Sequence, residues 1–203
     1  MYGIGDFDIL IVPGWHNSGP DHWQTHWQAA FPDMRRVEQD DWDVPVYADW
    51  SRRLSEAVAQ CQRPALLVAH SLGTALVTRW AHEHGPGPVA GALLVATSDV
   101  DSFAGTPGNP MRGFDPIVMK RLPFPSFVLA SHDDHRVAFE RAAAFASAWG
   151  SRLIDVGSLG HIGSAAKLGL WPQGLVWFGQ LIASIGAEDY RRAGVAVRPG
   201  KSS

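Results

Sequence analysis

Short apolar segments that lack the alternation of a half-exposed strand constrain the fold of this chain more than any other feature. Five of them lie at residues 8–12, 65–69, 92–96, 126–130 and 153–156. Continuous apolar strands are typical of a sheet that is buried on both faces, and such sheets are mostly parallel. A more polar segment at residues 34–39 is a candidate edge strand. The pattern therefore predicts a mostly parallel central sheet of about six strands.

The segments between these strands carry amphipathic helical patterns, at residues 21–30, 47–60, 72–84, 137–149 and 171–185. Strand–helix alternation of this kind is typical of right-handed βαβ crossovers, which place helices on both faces of the sheet. Residues 98–125 are rich in proline and lack clear periodicity, so we expect a long loop or an insertion over one end of the sheet. We predict a single three-layer α/β domain over residues 1–185, followed by a polar, flexible tail at residues 186–203.

The composition of the 203 residues excludes several classes of protein. A hydrophobic fraction of 46% excludes a disordered chain, and a net charge of -3 gives no basic surface for nucleic acid. Cys61 is the only cysteine, so an internal disulfide or a thiolate zinc site cannot form. The start of the chain lacks the basic residues of a secretory signal, and the apolar segments are too short to cross a bilayer. We expect a cytoplasmic protein without a membrane or nucleic-acid partner; the sequence leaves its oligomeric state open.

A serine lies at the junction of a buried strand and a helix, in the segment Ala69-His70-Ser71-Leu72-Gly73. This segment is close to the G-x-S-x-G nucleophile elbow, in which a sharp strand-to-helix turn exposes the serine. The turn crowds the positions two before and two after the serine, and Ala69 adds only one methyl group at the first of them. The alternative is a strand followed by an ordinary serine N-cap. We interpret Ser71 as the candidate nucleophile.

A nucleophilic serine requires a base and a third group that orients the base. In α/β-hydrolases these residues follow in the order Ser, acid, His. Asp133 and Asp134 follow the predicted strand at residues 126–130, and His161 follows the one at residues 153–156. Because the carboxyl ends of parallel strands meet at one edge of a sheet, we expect the three loops to lie together. The order alone leaves both aspartates open as the acid.

These segments, together with Val12-Pro13-Gly14-Trp15 and His22-Trp23-Gln24-Thr25-His26-Trp27, resemble the small α/β-hydrolases of the YdeN and retinoblastoma-binding-protein-nine family of serine hydrolases. The resemblance covers roughly residues 7–184. It implies an α/β-hydrolase-like fold and an enzyme that needs no cofactor. It implies Ser71 as the nucleophile, His161 as the base and Asp134 as the acid, since the family aspartate stands three residues before an aliphatic residue, here Val137. His135 stands where the family often has proline, so Asp133 remains the alternative acid.

The oxyanion hole is expected to use the backbone amides of Leu72, directly after the nucleophile, and of Trp15, in the loop after the first strand. The alternative for the second loop is an ordinary strand-exit turn. Candidate substrate-pocket residues are His16, His22, Trp23, Met111 and Phe114. For Met111 and Phe114, packing within the long loop is an equally good interpretation.

Histidines outside the triad raise the question of a metal. His22 and His26 are four residues apart on one predicted helix, but no HExxH pattern or paired carboxylates accompany them. We therefore predict no metal site. We assign His70, the neighbour of the nucleophile, no catalytic role. The loop after the first strand lacks the glycine pattern that binds phosphate, so we expect no nucleotide cofactor.

Tryptophan is abundant, with nine residues in the chain. Trp15, Trp23 and Trp27 lie in or just after the proposed oxyanion loop. Indoles offer a large apolar area and one N–H donor, so we expect these three to form the wall of an acyl pocket or a brace behind it.

The motifs together predict a cofactor-independent serine hydrolase that cleaves a small ester or amide through an acyl-enzyme on Ser71. The activity would be carboxylesterase-like, or amidase- or aminopeptidase-like. An acyltransferase or perhydrolase would use the same three residues. A different class, a protein-binding module on a hydrolase scaffold with weak or vestigial catalysis, is the second alternative.

Overall fold

A central parallel sheet of six strands organises the computed structural model, which describes residues 2–192. The strand order is β2-β1-β3-β4-β5-β6, and every neighbouring pair is parallel. The strands are β1 (Asp8–Val12), β2 (Met34–Arg36), β3 (Ala65–His70), β4 (Val89–Val95), β5 (Ser126–Ala130) and β6 (Arg152–Asp155). The expectation of a parallel, six-stranded α/β-hydrolase-like fold is confirmed.

Residues 2–192 form six α-helices, of which the first five lie between strands and the last follows β6, and two short 3-10 helices at Ile4–Asp6 and Ser164–Ala166. The α-helices are α1 (Trp23–Ala30), α2 (Tyr47–Ala59), α3 (Leu72–His84), α4 (Val100–Phe103), α5 (Phe139–Trp149) and α6 (Pro172–Arg192). None of the helices in the described part of the chain is long and apolar enough to cross a membrane.

Two hydrophobic cores, one on each face of the sheet, explain why the inner strands β1, β3, β4 and β5 are apolar. Alternate residues of β3 belong to different cores: Leu67 packs with α2, α3 and α5, whereas Leu66 packs with α1 and α6. Both residues are fully buried. Burial of both faces removes the alternation that marks a sheet with one solvent-facing side.

Several element boundaries differ from the predicted ones. The edge strand β2 covers only Met34–Arg36, because it pairs with β1 alone. The long segment at residues 98–125 contains the short helix α4. The last helix was predicted to end at residue 185, but α6 continues to Arg192 because alanine, glutamate and arginine favour helix where the apolar periodicity has ceased. The predicted tail therefore begins too early, and residues 193–203 lie outside the described residues.

The connections that matter for chemistry leave the carboxyl ends of β1, β3, β5 and β6. In parallel α/β sheets this edge is where ligands bind. The fold therefore brings residues from four distant parts of the sequence to one edge.

Candidate active site

Three side chains from three loops form one hydrogen-bonded chain at this edge. The Oγ atom of Ser71, which follows β3, lies 2.8 Å from Nε2 of His161. The Nδ1 atom of His161 lies 2.9 Å from both carboxylate oxygens of Asp134. A carboxylate only accepts, so Nδ1 carries the proton and Nε2 is left to accept the proton of Ser71. The arrangement is that of a nucleophile, a base and an orienting acid.

Burial differs along this chain in the way the chemistry requires. The side chain of Asp134 is 1% exposed and that of His161 is 17% exposed. The buried carboxylate holds one orientation of the imidazole, while the outer edge of the ring faces the cavity. The imidazole of His161 is therefore open to the cavity, whereas the carboxylate of Asp134 is closed off from solvent.

The turn at Ser71 has the strained backbone of a nucleophile elbow, with φ 53° and ψ -124°. A Cβ atom at Gly73 would lie 2.4 Å from the carbonyl oxygen of Val12, a contact that no side chain tolerates. The amide of Ser71 donates to the carbonyl of Val95 at 3.0 Å, which ties the turn to β4. Strain held by its surroundings is common at catalytic residues. The geometry excludes the alternative of an ordinary serine cap, and Ser71 makes no side-chain cap bond.

Two backbone amides lie beside the nucleophile. Leu72 is the first residue of α3, and a first-turn amide has no acceptor within its own helix. In the loop after β1, the amide of His16 donates to the carbonyl of Trp42, and the amide of Asn17 donates to the carbonyl of Gly14. The amide of Trp15 is engaged in no such bond within the described residues. A Cβ atom at Gly14 would lie 2.8 Å from Cβ of Ser71, so glycine is what allows this loop to approach the nucleophile.

The two adjacent aspartates have different contacts. Asp134 contacts the imidazole of His161, whereas Oδ1 of Asp133 accepts hydrogen bonds from Oγ of Ser131 at 2.7 Å and from the amide of Gly160 at 2.8 Å. These bonds hold the pKa of the Asp133 carboxyl below its usual value. Asp133 therefore ties the loop after β5 to the loop that carries His161, and it does not touch the ring.

Tryptophan side chains hold the histidine loop from behind. Nε1 of Trp23 donates to the carbonyl of Ile162 at 2.9 Å, and Nε1 of Trp27 donates to that of Leu170 at 2.7 Å. The indole of Trp171 packs against Trp23, with ring centroids 5.1 Å apart. Of the two expectations for Trp23 and Trp27, the structure shows the brace behind the site and not the wall of the pocket.

His70 contributes a contact that the sequence did not reveal. Its Nε2 atom donates to the carbonyl of His161 at 2.9 Å, and its ring lies 5.1 Å from the ring of His161. The side chain is buried. His70 therefore holds the backbone of the base, although adjacency to Ser71 alone gave no reason to assign it a role.

Gln24 and Arg36 fix the loop after β1. The fully buried side chain of Gln24 donates from Nε2 to the carbonyl of Val68 at 2.9 Å, and its Oε1 accepts from Oγ of Ser18 at 2.6 Å. Arg36 donates to Oδ1 of Asn17 at 2.7 Å and to the carbonyl of Ser18 at 2.9 Å. Sequence analysis missed both residues, because the partners are distant in sequence and only the folded chain pairs them.

A cavity of about 190 Å³ opens beside Ser71. Of the predicted pocket residues, His16, His22 and Met111 line it, together with the oxyanion candidates Trp15 and Leu72. Trp23 and Phe114 do not. Trp23 stands behind the site, and Phe114 packs edge-on against Trp50 at 5.6 Å within the core. Both are large apolar side chains, and such side chains are usually buried in a hydrophobic core.

No group of three or more His, Cys, Asp and Glu side chains in residues 2–192 could hold a metal ion. His22 and His26 do not converge on a common point with carboxylates, and His22 uses Nδ1 to accept the amide of Gln24 at 3.2 Å.

Two of these histidines are buried in the neutral form. Burial, with a smaller contribution from the charge of Arg36, lowers the pKa of His22 to about 3. Burial also lowers the pKa of His70 well below its usual value, and the neighbouring His22 and His161 act in the same direction. Below the pKa of an unfolded histidine, the unfolded chain binds protons that the buried rings do not bind. The free energy of unfolding is therefore fully present above that pKa and decreases as the pH falls below it.

We therefore expect acid to destabilise the protein through these two residues. An unfolded histidine titrates near pH 6.5. Each histidine that stays neutral in the folded protein therefore lowers the free energy of unfolding at pH 5 by about 2 kcal/mol. The free energy of unfolding is measured in urea at pH 7.5 and at pH 5.0. Between these pH values it should decrease by about 2 kcal/mol less in His22→Asn than in the wild type. The exposed Gln60 provides the control, because Gln60→Asn changes no titratable group and should keep the wild-type loss. Equal losses in the wild type and His22→Asn would contradict the burial of a neutral ring.

Comparison with known proteins agrees with this geometry. The serine hydrolase family matches residues 9–180 of the chain. A YdeN-like hydrolase from Pectobacterium atrosepticum is 30% identical, with a TM-score of 0.80 over 89% of this chain and 93% of that one. The ydeN gene product of B. subtilis is 22% identical, with a TM-score of 0.64 over 88% of this chain and 98% of that one.

A more distant structure, Est1E from Butyrivibrio proteoclasticus with ferulic acid bound, is 11% identical, with a TM-score of 0.65 over 86% of this chain and 89% of that one. At this identity the likeness concerns the fold alone. A search of curated protein sequences finds no significant match. Because the family match spans most of the chain and the 30% identical structure covers nearly all of it, this chain belongs to the YdeN-like serine hydrolase family, as its motifs led us to expect.

Proposed function

We propose that this protein hydrolyses small esters or amides through an acyl-enzyme on Ser71, without a cofactor. The observation that carries the proposal is the hydrogen-bonded chain from Asp134 through His161 to Ser71, which ends at the edge of a cavity. Family membership supports hydrolase activity, and the site geometry supports this particular chemistry.

In the first half of the reaction, Oγ of Ser71 attacks the carbonyl carbon while Nε2 of His161 takes the hydroxyl proton. The carbonyl oxygen becomes an oxyanion, which accepts hydrogen bonds from the amides of Leu72 and Trp15. Asp134 stabilises the imidazolium that forms. His161 then donates the same proton to the leaving oxygen or nitrogen, and the carbonyl–leaving-group bond breaks.

In the second half, a water molecule replaces the leaving group. His161 takes a proton from the water, the hydroxide attacks the acyl carbon, and the oxyanion is again held by the two amides. Collapse of this intermediate releases the acid and returns the proton to Oγ of Ser71. An acyltransferase would follow the same steps with an alcohol or amine in place of water.

The cavity favours a small substrate. Its volume of about 190 Å³ lies below the range of about 300–1,000 Å³ that is usual for drug-sized ligands. Phe103 and Met111 supply an apolar side, whereas His16, Asn17 and Ser164 supply polar groups. A short acyl or alcohol group fits this mixture better than a long lipid chain.

The experiment is active-site labelling with a fluorophosphonate probe, combined with rapid-quench kinetics on a short-chain p-nitrophenyl ester. We expect stoichiometric labelling, and a burst of p-nitrophenol if deacylation is the slower half of the reaction. Prior exposure to the ester should slow labelling, because acylation occupies Ser71. Absence of both labelling and turnover over a range of acyl lengths would contradict the proposal and favour a binding module.

A further inference from the structure

His22 presents an unusual donor to the cavity. The residue is 4% exposed and lines the cavity next to His70, with ring centroids 4.6 Å apart. Its Nδ1 atom accepts the backbone amide of Gln24 at 3.2 Å and so carries no proton. The neutral ring must therefore carry its proton on Nε2. Burial holds the ring in this neutral form, as its lowered pKa indicates.

This Nε2–H group has no hydrogen-bond partner in the part of the chain that the structure describes, although the atom is buried. Gly163 is a near neighbour, since a Cβ atom there would come within 3.9 Å of Nε2. The backbone of Gly163, with φ -105° and ψ -159°, is extended and open to any residue. Glycine at this position adds no side chain next to the buried Nε2 atom.

Buried donors without an acceptor are rare in folded proteins because they are costly, so each one calls for a physical reason. The other ring nitrogen of His22 already caps α1, and an ordinary cap needs no second polar atom in the cavity. A site built to hydrogen-bond a substrate discriminates strongly between ligands that satisfy the bond and ligands that do not.

We propose that Nε2–H of His22 donates a hydrogen bond to an oxygen acceptor of the substrate. The preferred substrate would then carry a carbonyl, ether or hydroxyl oxygen near the reacting carbonyl, and would not be a plain alkanoyl ester of a plain alcohol. The inference rests on the proposed hydrolase function and adds a residue that determines specificity. The acceptor belongs to either the acyl group or the leaving group.

Two substitutions separate the two roles of the ring. His22→Asn keeps an oxygen near the position of Nδ1, so the cap on the Gln24 amide survives, but places nothing near Nε2. His22→Gln reaches further and places an amide donor close to the position of Nε2. The pair therefore removes the cavity donor in one variant and restores a donor in the other.

The experiment uses two series of esters. In the first, a hexanoyl ester of a simple alcohol, one methylene group of the acyl chain is replaced by an ether oxygen, at each position in turn. In the second, a hexyl ester of a simple acid, the same replacement is made along the alcohol chain. Hydrolysis is followed by acid release, so that either half of the ester can vary. The measured quantity is kcat/KM for each ether ester divided by kcat/KM for its all-carbon counterpart. This ratio cancels general changes in activity or folding between variants.

At one ether position of one series, we expect the ratio to be about 3- to 10-fold higher in the wild type than in His22→Asn, because one hydrogen bond is lost. In His22→Gln the ratio should recover in part. The series in which the effect occurs identifies the acyl or the leaving group. Ratios that are equal in the wild type and His22→Asn at every position would overturn the role of His22 alone. Absence of hydrolysis of every ester, with no fluorophosphonate labelling, would overturn the proposed function as well.

Discussion

Replacement of Ser71 by Ala should reduce kcat/KM for a short-chain p-nitrophenyl ester by about 10⁵- to 10⁶-fold, which is the loss measured when the nucleophile of a Ser-His-Asp site is removed. The reason is that Oγ of Ser71 is the hydroxyl that bonds to Nε2 of His161, so the substitution removes the attacking atom itself. Steady-state kinetics at high enzyme concentration measure the residual rate, and fluorophosphonate labelling of Ser71→Ala should be lost completely.

Ser158→Ala is the matched control for this experiment. Ser158 is an exposed serine in the loop that carries His161, and the structure gives it no part in the site. The control should label and turn over like the wild type, and both variants should unfold at the wild-type urea concentration. Stoichiometric labelling of Ser71→Ala would show that another residue is the nucleophile.

Asp134→Asn should reduce kcat/KM by about 10⁴-fold while leaving the fold intact. An amide that donates toward Nδ1 favours the wrong tautomer of His161, and an amide cannot stabilise the imidazolium as a carboxylate does. The side chain is 1% exposed, so solvent cannot replace the lost charge. The kcat/KM values for one ester, measured with urea unfolding as the check on folding, report the effect.

The adjacent Asp133 provides an isosteric control. In Asp133→Asn the amide oxygen still accepts from Ser131 and from the amide of Gly160, so the loop stays in place and the loss should remain within about tenfold. Asp133→Ala removes both bonds and should cost more. A larger loss in Asp133→Asn than in Asp134→Asn would reverse the assignment of the acid.

The fold was predictable because its main signal is local. Strands buried on both faces must be apolar throughout, and β1, β3, β4 and β5 show this pattern in segments of five to seven residues. The boundary of α6 was not predictable from apolar periodicity, because the last residues of the helix follow helix propensity and carry no apolar period. The short edge strand β2 depends on pairing with a neighbour that local pattern does not specify.

The candidate site was partly predictable for a related reason. Ser71, Asp134 and His161 each stand just after a predicted strand, and parallel strands bring their carboxyl ends to one edge. Trp23 and Phe114 were assigned to the pocket because an aromatic residue near a site has the same sequence signature whether it lines the site or supports it. Their burial, and the bond from Trp23 to the carbonyl of Ile162, decide the question.

The sequence by itself determined the parallel sheet, the elbow at Ser71 and the order of the residues that serve it. Tertiary structure alone decided that Asp134 contacts the imidazole while Asp133 holds the loop, and that His70 holds the backbone of His161. Tertiary structure alone also left Nε2 of His22 buried without a hydrogen-bond partner among residues 2–192. The physical reason is that strand pattern and turn sterics act over a few residues, whereas hydrogen-bond partners and burial arise between segments that meet only when the chain folds.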